Sequence, residues 1–338
     1  DALETLDGHD GLTPEYIITR IRDAGITGMG GAGFPTYVKL TPPSTSKIDC
    51  VIINAVECEP YITSDYRLMM EHADEILVGV KLVLMAVSAP VAYIGIERNK
   101  PAAIRLFQEK TIGERSIKIV PLEQKYPQGG EKQLIDAVTR RQVPDPPAIP
   151  ANVGTVVVNV GTAFAVYQAV MKNKPLFERY TSVSGKHISQ PKNFLVRMGT
   201  PISQLIDACG GLPDGDNKII AGGPMMGKAL MTTGVPVCKG TNSITVLSGK
   251  EAVRDGAIGP CIRCAKCVGV CPMGLEPYVL ATSSAAHNWD MAEEHFITSC
   301  IECGSCQYTC PANRPMLDNI RFGKSKVMTI IRARKQKS

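Results

Sequence analysis

The sequence predicts an α/β protein built in three successive parts, and three observations support this fold class. β-Type and helical runs alternate over Cys50–Lys172, which favours a parallel sheet with helices on its faces. Short β-type runs separated by turn residues follow over Thr181–Leu247, as in a small α+β module. Eight of the twelve cysteines then lie within Cys261–Cys310. The length of 338 residues agrees with two or three domains at roughly 100 to 200 residues each.

The first part begins with a helix and continues with strands and helices in alternation. Apolar residues recur at helical spacing after Thr13 and Pro14, which predicts a helix over Leu12–Ala24. The elements that follow are a strand at Cys50–Ala55, a helix at Ser64–Val87, a strand at Val91–Ile96, a helix at Pro101–Lys110, a strand at Ile117–Val120, and a strand and helix within Val153–Lys172. Four prolines make Gln142–Pro150 a stiff connector.

The second and third parts have shorter elements. In the second part we predict strands at Phe194–Val196, Ile219–Ile220 and Ile244–Val246 and a short helix at Ile202–Ala208. In the third part, Pro272–Ser299 is long enough for two short helices. We place the domains at residues 1–175, 176–250 and 251–325, followed by a basic tail at 326–338.

Composition and charge exclude several classes of protein. Hydrophobic residues make up 44% of the chain, but no apolar run approaches the ~20 residues that span a bilayer, so we expect no integral membrane protein. The net charge is +5, and seven basic and no acidic residues fall within Asn319–Ser338. This tail is either solvated and disordered or in contact with anionic lipid or an acidic protein. Nucleic acid is disfavoured because no aromatic stacking motif accompanies the charge.

Two cysteine motifs share one spacing. The motifs are Cys261-x2-Cys264-x2-Cys267-x3-Cys271-Pro272 and Cys300-x2-Cys303-x2-Cys306-x3-Cys310-Pro311. This is the run that holds two [4Fe–4S] clusters, in which the fourth cysteine of each motif reaches the other cluster. We therefore assign a first cysteine set (Cys261, Cys264, Cys267, Cys310) and a second cysteine set (Cys300, Cys303, Cys306, Cys271). Zinc and disulfides fit this spacing poorly, while a purely structural cluster stays open as an alternative to electron transfer. The scattered Cys50, Cys58, Cys209 and Cys238 are expected to be buried apolar thiols.

A glycine loop (Gly28–Phe34) follows the first helix. Gly28, Gly30 and Gly33 satisfy G-x-G-x-x-G, but a helix precedes them and Pro35 follows, so the standard Rossmann pyrophosphate loop is disfavoured. Such a loop lets the backbone approach an anion or a planar ring closely. A flexible hinge is the alternative.

Four segments resemble a known family. Gly28–Thr36 with Lys39 resembles the flavin loop of the NADH-binding flavoprotein subunit of respiratory complex I, and three further segments resemble its other loops. These are the second loop (Asn54–Pro60), the third loop (Tyr126–Glu131) and the fourth loop (Asn159–Thr162). With Gly222–Gly227 and the paired cysteine motifs, the chain resembles more closely the C-subunits of Rnf complexes, which are membrane-bound ferredoxin:NAD+ oxidoreductases.

The resemblance implies a Rossmann-like domain that binds FMN and NADH, an SLBB (β-grasp-like) module and a helical ferredoxin-like domain with two [4Fe–4S] clusters. The residues that would bind FMN are Gly28, Gly30, Gly31, Ala32, Gly33, Lys39, Asn54, Glu57, Gly129, Gly130, Asn159 and Thr162. Those that would face the nicotinamide nucleotide are Phe34, Glu59, Tyr126 and Glu131. No side chain is expected to act as a catalytic acid or base, because the cofactors carry the chemistry.

The resemblance further implies a peripheral subunit on the cytoplasmic side of the membrane. It would pass electrons between the clusters, FMN and NAD(H), while partner subunits translocate Na+ or H+. Expected partners are the membrane subunits, a ferredoxin-like iron–sulfur subunit and, indirectly, ferredoxin; nucleic acid is not expected. Two alternatives stay open: a cobalamin reductase of propanediol-type microcompartments, and a non-catalytic electron-wiring adaptor.

Overall fold

A four-stranded parallel sheet forms the centre of the first domain. Its strands are β1 (Cys50–Ala55), β2 (Ala92–Glu97), β3 (Ile117–Leu122) and β4 (Thr155–Asn159), in the order β3-β2-β1-β4. The central strands are buried on both faces, since Val51, Ile52 and Ile53 are fully enclosed. The computed structural model describes residues 11–252 and 257–337. The first ten residues of the predicted first domain, residues 253–256 of the third and Ser338 of the tail lie outside that range.

Strand order creates a topological switch point between β1 and β4. The chain runs from β1 outward through β2 to β3 and then returns to place β4 on the other side of β1. The two strands pair in parallel, with Asn54 opposite Asn159 at their carboxyl ends. In open α/β sheets, ligands bind outside the carboxyl ends of the strands at such a point.

Seven helices accompany this sheet in the described residues. They are α1 (Pro14–Asp23), α2 (Thr36–Lys39), α3 (Ser64–Glu71), α4 (Ala73–Val87), α5 (Pro101–Lys110), α6 (Glu131–Thr139) and α7 (Val160–Met171). The side chain of Thr13 accepts a hydrogen bond from the Tyr16 backbone N–H and caps α1, as its position predicts. Helices α4 and α7 cross in close contact, because a Cβ at Gly79 would lie 2.0 Å from the Ala163 carbonyl oxygen. This contact fixes the helix that begins at the switch point.

Two differences from the predicted elements occur in the first domain. The single helix predicted at Ser64–Val87 is wrong, because the backbone of His72 leaves helical geometry (φ −133°, ψ 37°) and divides α3 from α4. The His72 ring lies 2.8 Å from the Tyr180 hydroxyl, so a contact distant in sequence occupies the residue at the break. Helix α6 was not predicted at all.

The small module (residues 176–250) is a mixed five-stranded sheet with one helix. Its elements are β5 (Glu178–Ser184), β6 (Lys192–Arg197), α8 (Ile202–Asp207), β7 (Asn217–Ala221), β8 (Lys228–Ala229) and β9 (Ser243–Ser248), with the strands in the order β6-β5-β9-β7-β8. Strand β5 pairs in parallel with β9, while the other pairings are antiparallel. The α+β class predicted for this part is confirmed. In contrast to the prediction, Cys238 is exposed.

The chain divides into two compact units. The first contains residues up to Val143 and Ile149–Gly249, so the sheet domain and the small module belong together. The second contains Pro144–Ala148 and the chain from Lys250 onward. Its helices are α9 (Lys266–Gly269), α10 (Pro277–Ala285), α11 (Trp289–Glu294), α12 (Ser305–Tyr308) and α13 (Met316–Lys337). The two short helices predicted within Pro272–Ser299 are α10 and α11.

The predicted basic tail is the end of a helix rather than a disordered segment. Helix α13 is 22 residues long and buries Met316, Ile320 and Val327 in the core of the second unit. Near its end, Arg334 forms an ion pair with Glu293 at 2.8 Å. The tail is therefore helical rather than disordered as far as residue 337, although the side chains of residues 332–336 are exposed to solvent, as the first of the two alternatives expects. In the part of the chain that the structure describes, no helix combines the length and apolar character needed to cross a bilayer.

Candidate flavin site and cluster-binding motifs

The four loops picked out in the sequence meet at the switch point between β1 and β4. The Asn54 side chain donates to the Gly129 carbonyl oxygen at 2.9 Å, which joins the second loop to the third. The Asn159 side chain lies 3.5 Å from the Asn54 carbonyl oxygen, which joins the fourth loop to the second. The Met29 backbone N–H donates to the Thr162 hydroxyl at 2.9 Å and joins the glycine loop to the fourth. Side chains predicted to bind the flavin thus also hold the loops together.

The glycine loop folds back on itself instead of opening a long helix. The Gly28 backbone N–H donates to the Phe34 carbonyl oxygen at 2.8 Å, and only the one-turn helix α2 follows. Gly31 and Gly33 have positive φ angles of 113° and 65°, and a Cβ at either would meet nothing within 4 Å. Gly30, Gly31 and Ala32 are exposed or partly exposed, and Phe34 retains 49% exposure. The loop therefore has an open face that a planar ligand could cover.

Lys39 and Glu131 form an ion pair beside the glycine loop. The Lys39 ammonium lies 2.7 Å from the Glu131 carboxylate and donates to the Val157 carbonyl oxygen at 3.1 Å. Glu131 is the first residue of α6, where a carboxylate is favoured by the helix dipole. These two residues were predicted to face different ligands, FMN and the nicotinamide nucleotide, and the structure brings them into contact.

The third loop packs tightly against the second. A Cβ at Gly129 would lie 2.7 Å from the Val56 carbonyl oxygen, so this position accepts only glycine without a shift of the backbone. A Cβ at Gly130 would lie 3.1 Å from the Pro127 carbonyl oxygen. Tyr126, at the start of the loop, is partly buried and precedes a cis peptide bond to Pro127.

Glu57 points to the start of α3. Its carboxylate accepts from the Asp65 backbone N–H at 2.8 Å and from the Tyr66 backbone N–H at 3.4 Å. Burial, together with the nearby Asp65 carboxylate, raises the pKa of Glu57 to about 8. At neutral pH this side chain is therefore mainly a neutral carboxylic acid.

Glu59 contacts the small module. One carboxylate oxygen accepts from the Met225 backbone N–H at 3.0 Å and the other from the Met226 backbone N–H at 2.7 Å. A Cβ at Gly223 would lie 2.3 Å from the same carboxylate, so the glycine allows this approach. The Gly222–Gly227 segment and Glu59 were both selected from the sequence, but their contact was not anticipated.

Sequence reasoning missed two charged residues beneath the loops. Asp65 accepts a hydrogen bond from the Asn159 side chain at 2.7 Å, and burial raises the pKa of its carboxyl group. Arg179, on β5 of the small module, donates to the Met29 carbonyl oxygen at 3.1 Å. Neither lies in a recognisable motif, and neither has a signal that the isolated sequence could have supplied.

The residues present fit a bound flavin nucleotide. The Thr36 hydroxyl and the Gln128 side-chain nitrogen are buried and have no hydrogen-bond partner among the described residues. Thr36 follows the glycine loop and Gln128 lies within the third loop. A ligand rich in hydrogen-bonding groups would satisfy such atoms. The open face at Gly31 and Gly33 leaves space for a planar ligand at the glycine loop.

The second cysteine set surrounds one cavity in the second unit. Cys300, Cys303 and Cys306 line it together with Cys271 of the other motif, and apolar side chains complete the wall. Burial, with the neighbouring Cys300, Cys303 and Cys271 sulfurs, raises the pKa of the Cys306 thiol to about 12. A raised thiol pKa means that a thiolate is unfavourable here unless a positive charge is bound beside it. Four sulfurs around an apolar cavity therefore suit a cationic iron–sulfide core.

The first cysteine set is more exposed but repeats the same backbone. Cys261 and Cys264 are exposed, whereas Cys267 and Cys310 are partly buried. The equivalent residues of the two motifs share left-handed φ angles: Arg263 (55°) matches Glu302 (58°), and Ala265 (57°) matches Gly304 (78°). The backbone therefore follows the same path in both motifs, which identical cysteine spacing alone does not require.

Backbone N–H groups point at the sulfurs of the second set. The Leu275 N–H lies 3.4 Å from Cys271 Sγ, and the Glu302 N–H lies 3.4 Å from Cys300 Sγ. Within residues 11–252 and 257–337, no group of three or more His, Cys, Asp or Glu side chains is placed to hold one metal ion. A cubic cluster instead needs its four sulfurs distributed around a volume, as the second set is.

Three domain families match successive parts of the chain. The Nuo51 FMN-binding domain matches residues 21–168, the SLBB domain residues 180–229 and the 4Fe-4S dicluster domain residues 253–311. The predicted fold class of a Rossmann-like domain, an SLBB module and a two-cluster domain is confirmed by these matches. The exact domain boundaries stay predictions.

Relatives that match nearly the whole chain decide the family. The C-subunit of the Na(+)-translocating ferredoxin:NAD(+) oxidoreductase complex of Acetobacterium woodii is 41% identical over 97% of this chain and 75% of its own length. The C-subunit of the proton-translocating ferredoxin:NAD(+) oxidoreductase complex of Clostridium ljungdahlii is 46% identical over 93% of this chain and 68% of its own. This chain belongs to the C-subunit family of ion-translocating ferredoxin:NAD(+) oxidoreductase (Rnf) complexes. The C-subunit of the ion-translocating oxidoreductase complex of Rhodobacter capsulatus is 40% identical over 94% of this chain, which spans 61% of that protein.

A solved structure shares the fold of this Rnf C-subunit. The NAD+-reducing [NiFe]-hydrogenase in the air-oxidized state contains a chain that is 25% identical to it, with a TM-score of 0.57. The match covers 73% of the Rnf chain and 50% of the hydrogenase chain.

Proposed function

We propose that this chain is the peripheral redox subunit of an Rnf complex, in which it exchanges electrons between NAD(H), FMN and two [4Fe–4S] clusters. The observation that carries this proposal is the meeting of four loops at the switch point between β1 and β4, within the part of the chain that matches an FMN-binding domain. The names of the A. woodii and C. ljungdahlii relatives support the oxidoreductase activity and the assembly into an ion-translocating complex.

The chain's own residues would bind and orient the flavin. Backbone groups of the glycine loop, with Lys39 beside them, would contact it from one side. Asn54, Asn159 and Thr162 would hold the loops in register around it. The chemistry that FMN supplies when bound is the exchange of a two-electron hydride for single electrons. Burial and the nearby Asp65 carboxylate raise the pKa of Glu57 to about 8, so a proton on Glu57 limits the negative charge at this site near neutral pH.

The nicotinamide nucleotide would meet the carboxylates of Glu59 and Glu131. A carboxylate suits the ribose hydroxyls and repels an added phosphate, so NADH is the expected substrate rather than NADPH. Because Glu59 contacts Met225 and Met226, the small module would contribute to this surface. Phe34 and Tyr126 would add apolar contacts.

The cysteine sets would serve as a path for single electrons. Cys261 and Cys264 of the first set are exposed, and the exposed side chains next to them in the sequence are apolar or basic: Ile258, Ile262, Arg263 and Lys266. An apolar patch with a positive rim suits an acidic redox partner. We infer that a ferredoxin-like iron–sulfur subunit docks here, on the cytoplasmic side of the membrane, and that membrane subunits translocate the ion.

Cofactor analysis tests this proposal. The full chain, purified without oxygen, should contain about eight irons, eight sulfides and one FMN, and NADH should bleach the flavin absorbance. Two zinc ions instead would remove the central assignment. Iron without flavin would support the electron-wiring adaptor, and NADH-dependent reduction of cob(III)alamin by the chain alone would support the cobalamin reductase.

A further inference from the structure

Arg179 is a buried charge of the small module that contacts the glycine loop. Only 2% of the residue is exposed, and its guanidinium donates to three backbone carbonyl oxygens. These belong to Met29 at 3.1 Å, to Tyr180 at 3.2 Å and to Lys239. Burial lowers the pKa of Arg179 to about 10, so it still carries its charge at neutral pH.

The contact with Met29 fixes the buried side of the glycine loop. The backbone of Met29 is held on both sides, because its N–H donates to Thr162 of α7 and its carbonyl accepts from Arg179 of β5. The side chain of Met29 is buried, whereas the next three residues are exposed or partly exposed. The open face of the loop therefore rests on one peptide that two different parts of the first unit hold.

The same part of the small module touches the loop region again. The Lys239 ammonium donates to the Gly25 carbonyl oxygen at 2.6 Å. A Cβ at Gly240 would lie 3.2 Å from the Gly31 carbonyl oxygen, so the backbones of the two segments approach closely. The Arg179 guanidinium also donates to the Lys239 carbonyl oxygen, so the same side chain contacts both this segment and the glycine loop.

Arg179 also acts on the fourth loop through Asp65. Asp65 and Arg179 line one cavity together with Met29, and the positive charge of Arg179 there favours the ionised form of Asp65. Asp65 in turn accepts a hydrogen bond from the Asn159 side chain at 2.7 Å. The other end of that side chain accepts from the Gly161 backbone N–H at 2.9 Å and caps α7. One guanidinium thus helps to set the position of both the glycine loop and Asn159.

We propose that Arg179 is a positioning residue for the flavin, which it sets by holding the Met29 carbonyl and, through Asp65, the Asn159 side chain. The inference rests on the proposed binding of FMN at these loops. It makes the small module part of the flavin site. Burying an ion costs desolvation free energy, which an apolar side chain of similar size would avoid. The contribution of Arg179 therefore lies in its directional hydrogen bonds rather than in filling space.

Flavin binding by Arg179 variants tests this role. Arg179→Gln and Arg179→Lys are prepared in the full chain, and the folded, cluster-loaded fraction is stripped of flavin and titrated with FMN by fluorescence. We expect the Kd for FMN to rise at least tenfold in Arg179→Gln and less in Arg179→Lys, because lysine keeps the charge but cannot reach three carbonyls. The circular dichroism of the bound flavin should change in parallel. Arg197→Gln, at an exposed arginine of the neighbouring strand β6, is the matched control and should behave as wild type.

The same measurements separate positioning from folding. A folded fraction of Arg179→Gln or Arg179→Lys with about eight irons, the wild-type Kd and unchanged flavin dichroism would overturn the inference. If Arg179→Gln does not fold, Arg179→Lys alone decides. Asp65→Asn should also weaken FMN binding, and combined with Arg179→Lys it should cost less than the sum of the single changes. Strict additivity would refute the link through Asp65. A wild-type chain that binds no FMN would refute the proposed function itself.

Discussion

Removal of cysteines in pairs tests whether the fourth ligands cross between the motifs. Because Cys271 lines the cavity of the second motif, Cys271→Ala should destroy the cluster held by Cys300, Cys303 and Cys306. Each cluster accounts for about four of the eight expected irons. A single cysteine removed from either set should therefore lower the iron content to about four.

The double variants make the test decisive. Cys271→Ala with Cys303→Ala removes two ligands of one cluster and should leave about four irons. Cys271→Ala with Cys264→Ala removes one ligand of each cluster and should leave almost none. The assay is iron and acid-labile sulfide per folded chain after anaerobic purification, with electron paramagnetic resonance of the reduced protein to count the surviving clusters.

An uncrossed arrangement predicts the reverse pattern. If each motif held its own cluster, Cys271 and Cys264 would share a cluster, and their joint removal would leave about four irons. Cys271→Ala with Cys303→Ala would then leave almost none. That result would refute the assignment of the two cysteine sets. Cys238→Ala, at an exposed cysteine outside the motifs, is the control and should retain all eight irons.

Three further changes test the flavin site. Glu57→Gln should gain stability relative to wild type as pH rises from about 4.5 to 8, because in the wild type the unfolded chain loses the Glu57 proton before the folded chain does. The rise of the Glu57 pKa to about 8 limits this gain in the free energy of unfolding to about 5 kcal/mol. Denaturant unfolding at pH 5 and pH 8 measures it, and no gain would mean that the carboxyl group ionises normally. Glu59→Gln should raise the KM for NADH about tenfold and leave the FMN content unchanged, because an amide cannot accept from both the Met225 and the Met226 N–H. Loss of flavin instead would show that Glu59 has been misassigned. Gly129→Ala should lower the free energy of unfolding by about 1–3 kcal/mol, because the new Cβ would lie 2.7 Å from the Val56 carbonyl oxygen. An unchanged melting temperature would contradict the tight packing of the third loop.

Much of the sheet domain could be predicted from periodicity. Strand Cys50–Ala55 and helix Pro101–Lys110 have the bounds that the sequence predicts, because apolar runs and a proline at the helix start mark them clearly. The division at His72 could not be predicted, since apolar residues continue at helical spacing on both sides of it. The residue at the break contacts Tyr180, which is distant in the sequence, and local periodicity carries no trace of such a contact.

Strand β5 shows why the small module was harder to predict. Arg179, Thr181 and Ser182 are buried within this strand, so the alternation of apolar and polar residues that marks a strand is absent. The loops of the candidate site could be located, because their glycines and asparagines form local patterns. Their charged support, Asp65 and Arg179, could not, since it depends on packing between segments far apart in the chain.

The long helix α13 joins a cysteine loop to a distant surface. Lys324 donates to the Cys300 carbonyl oxygen at 2.6 Å, and both Lys324 and Arg321 pair with Glu302 in the same loop. The helix continues from Lys324 to Lys337, which at 1.5 Å per residue is about 20 Å. Near the other end of the helix, Arg334 pairs with Glu293 of α11, so α13 is held at both ends of this stretch. A partner that displaces the Arg334 end of α13 from α11 would therefore shift the same helix that holds the loop of Cys300 and Cys303.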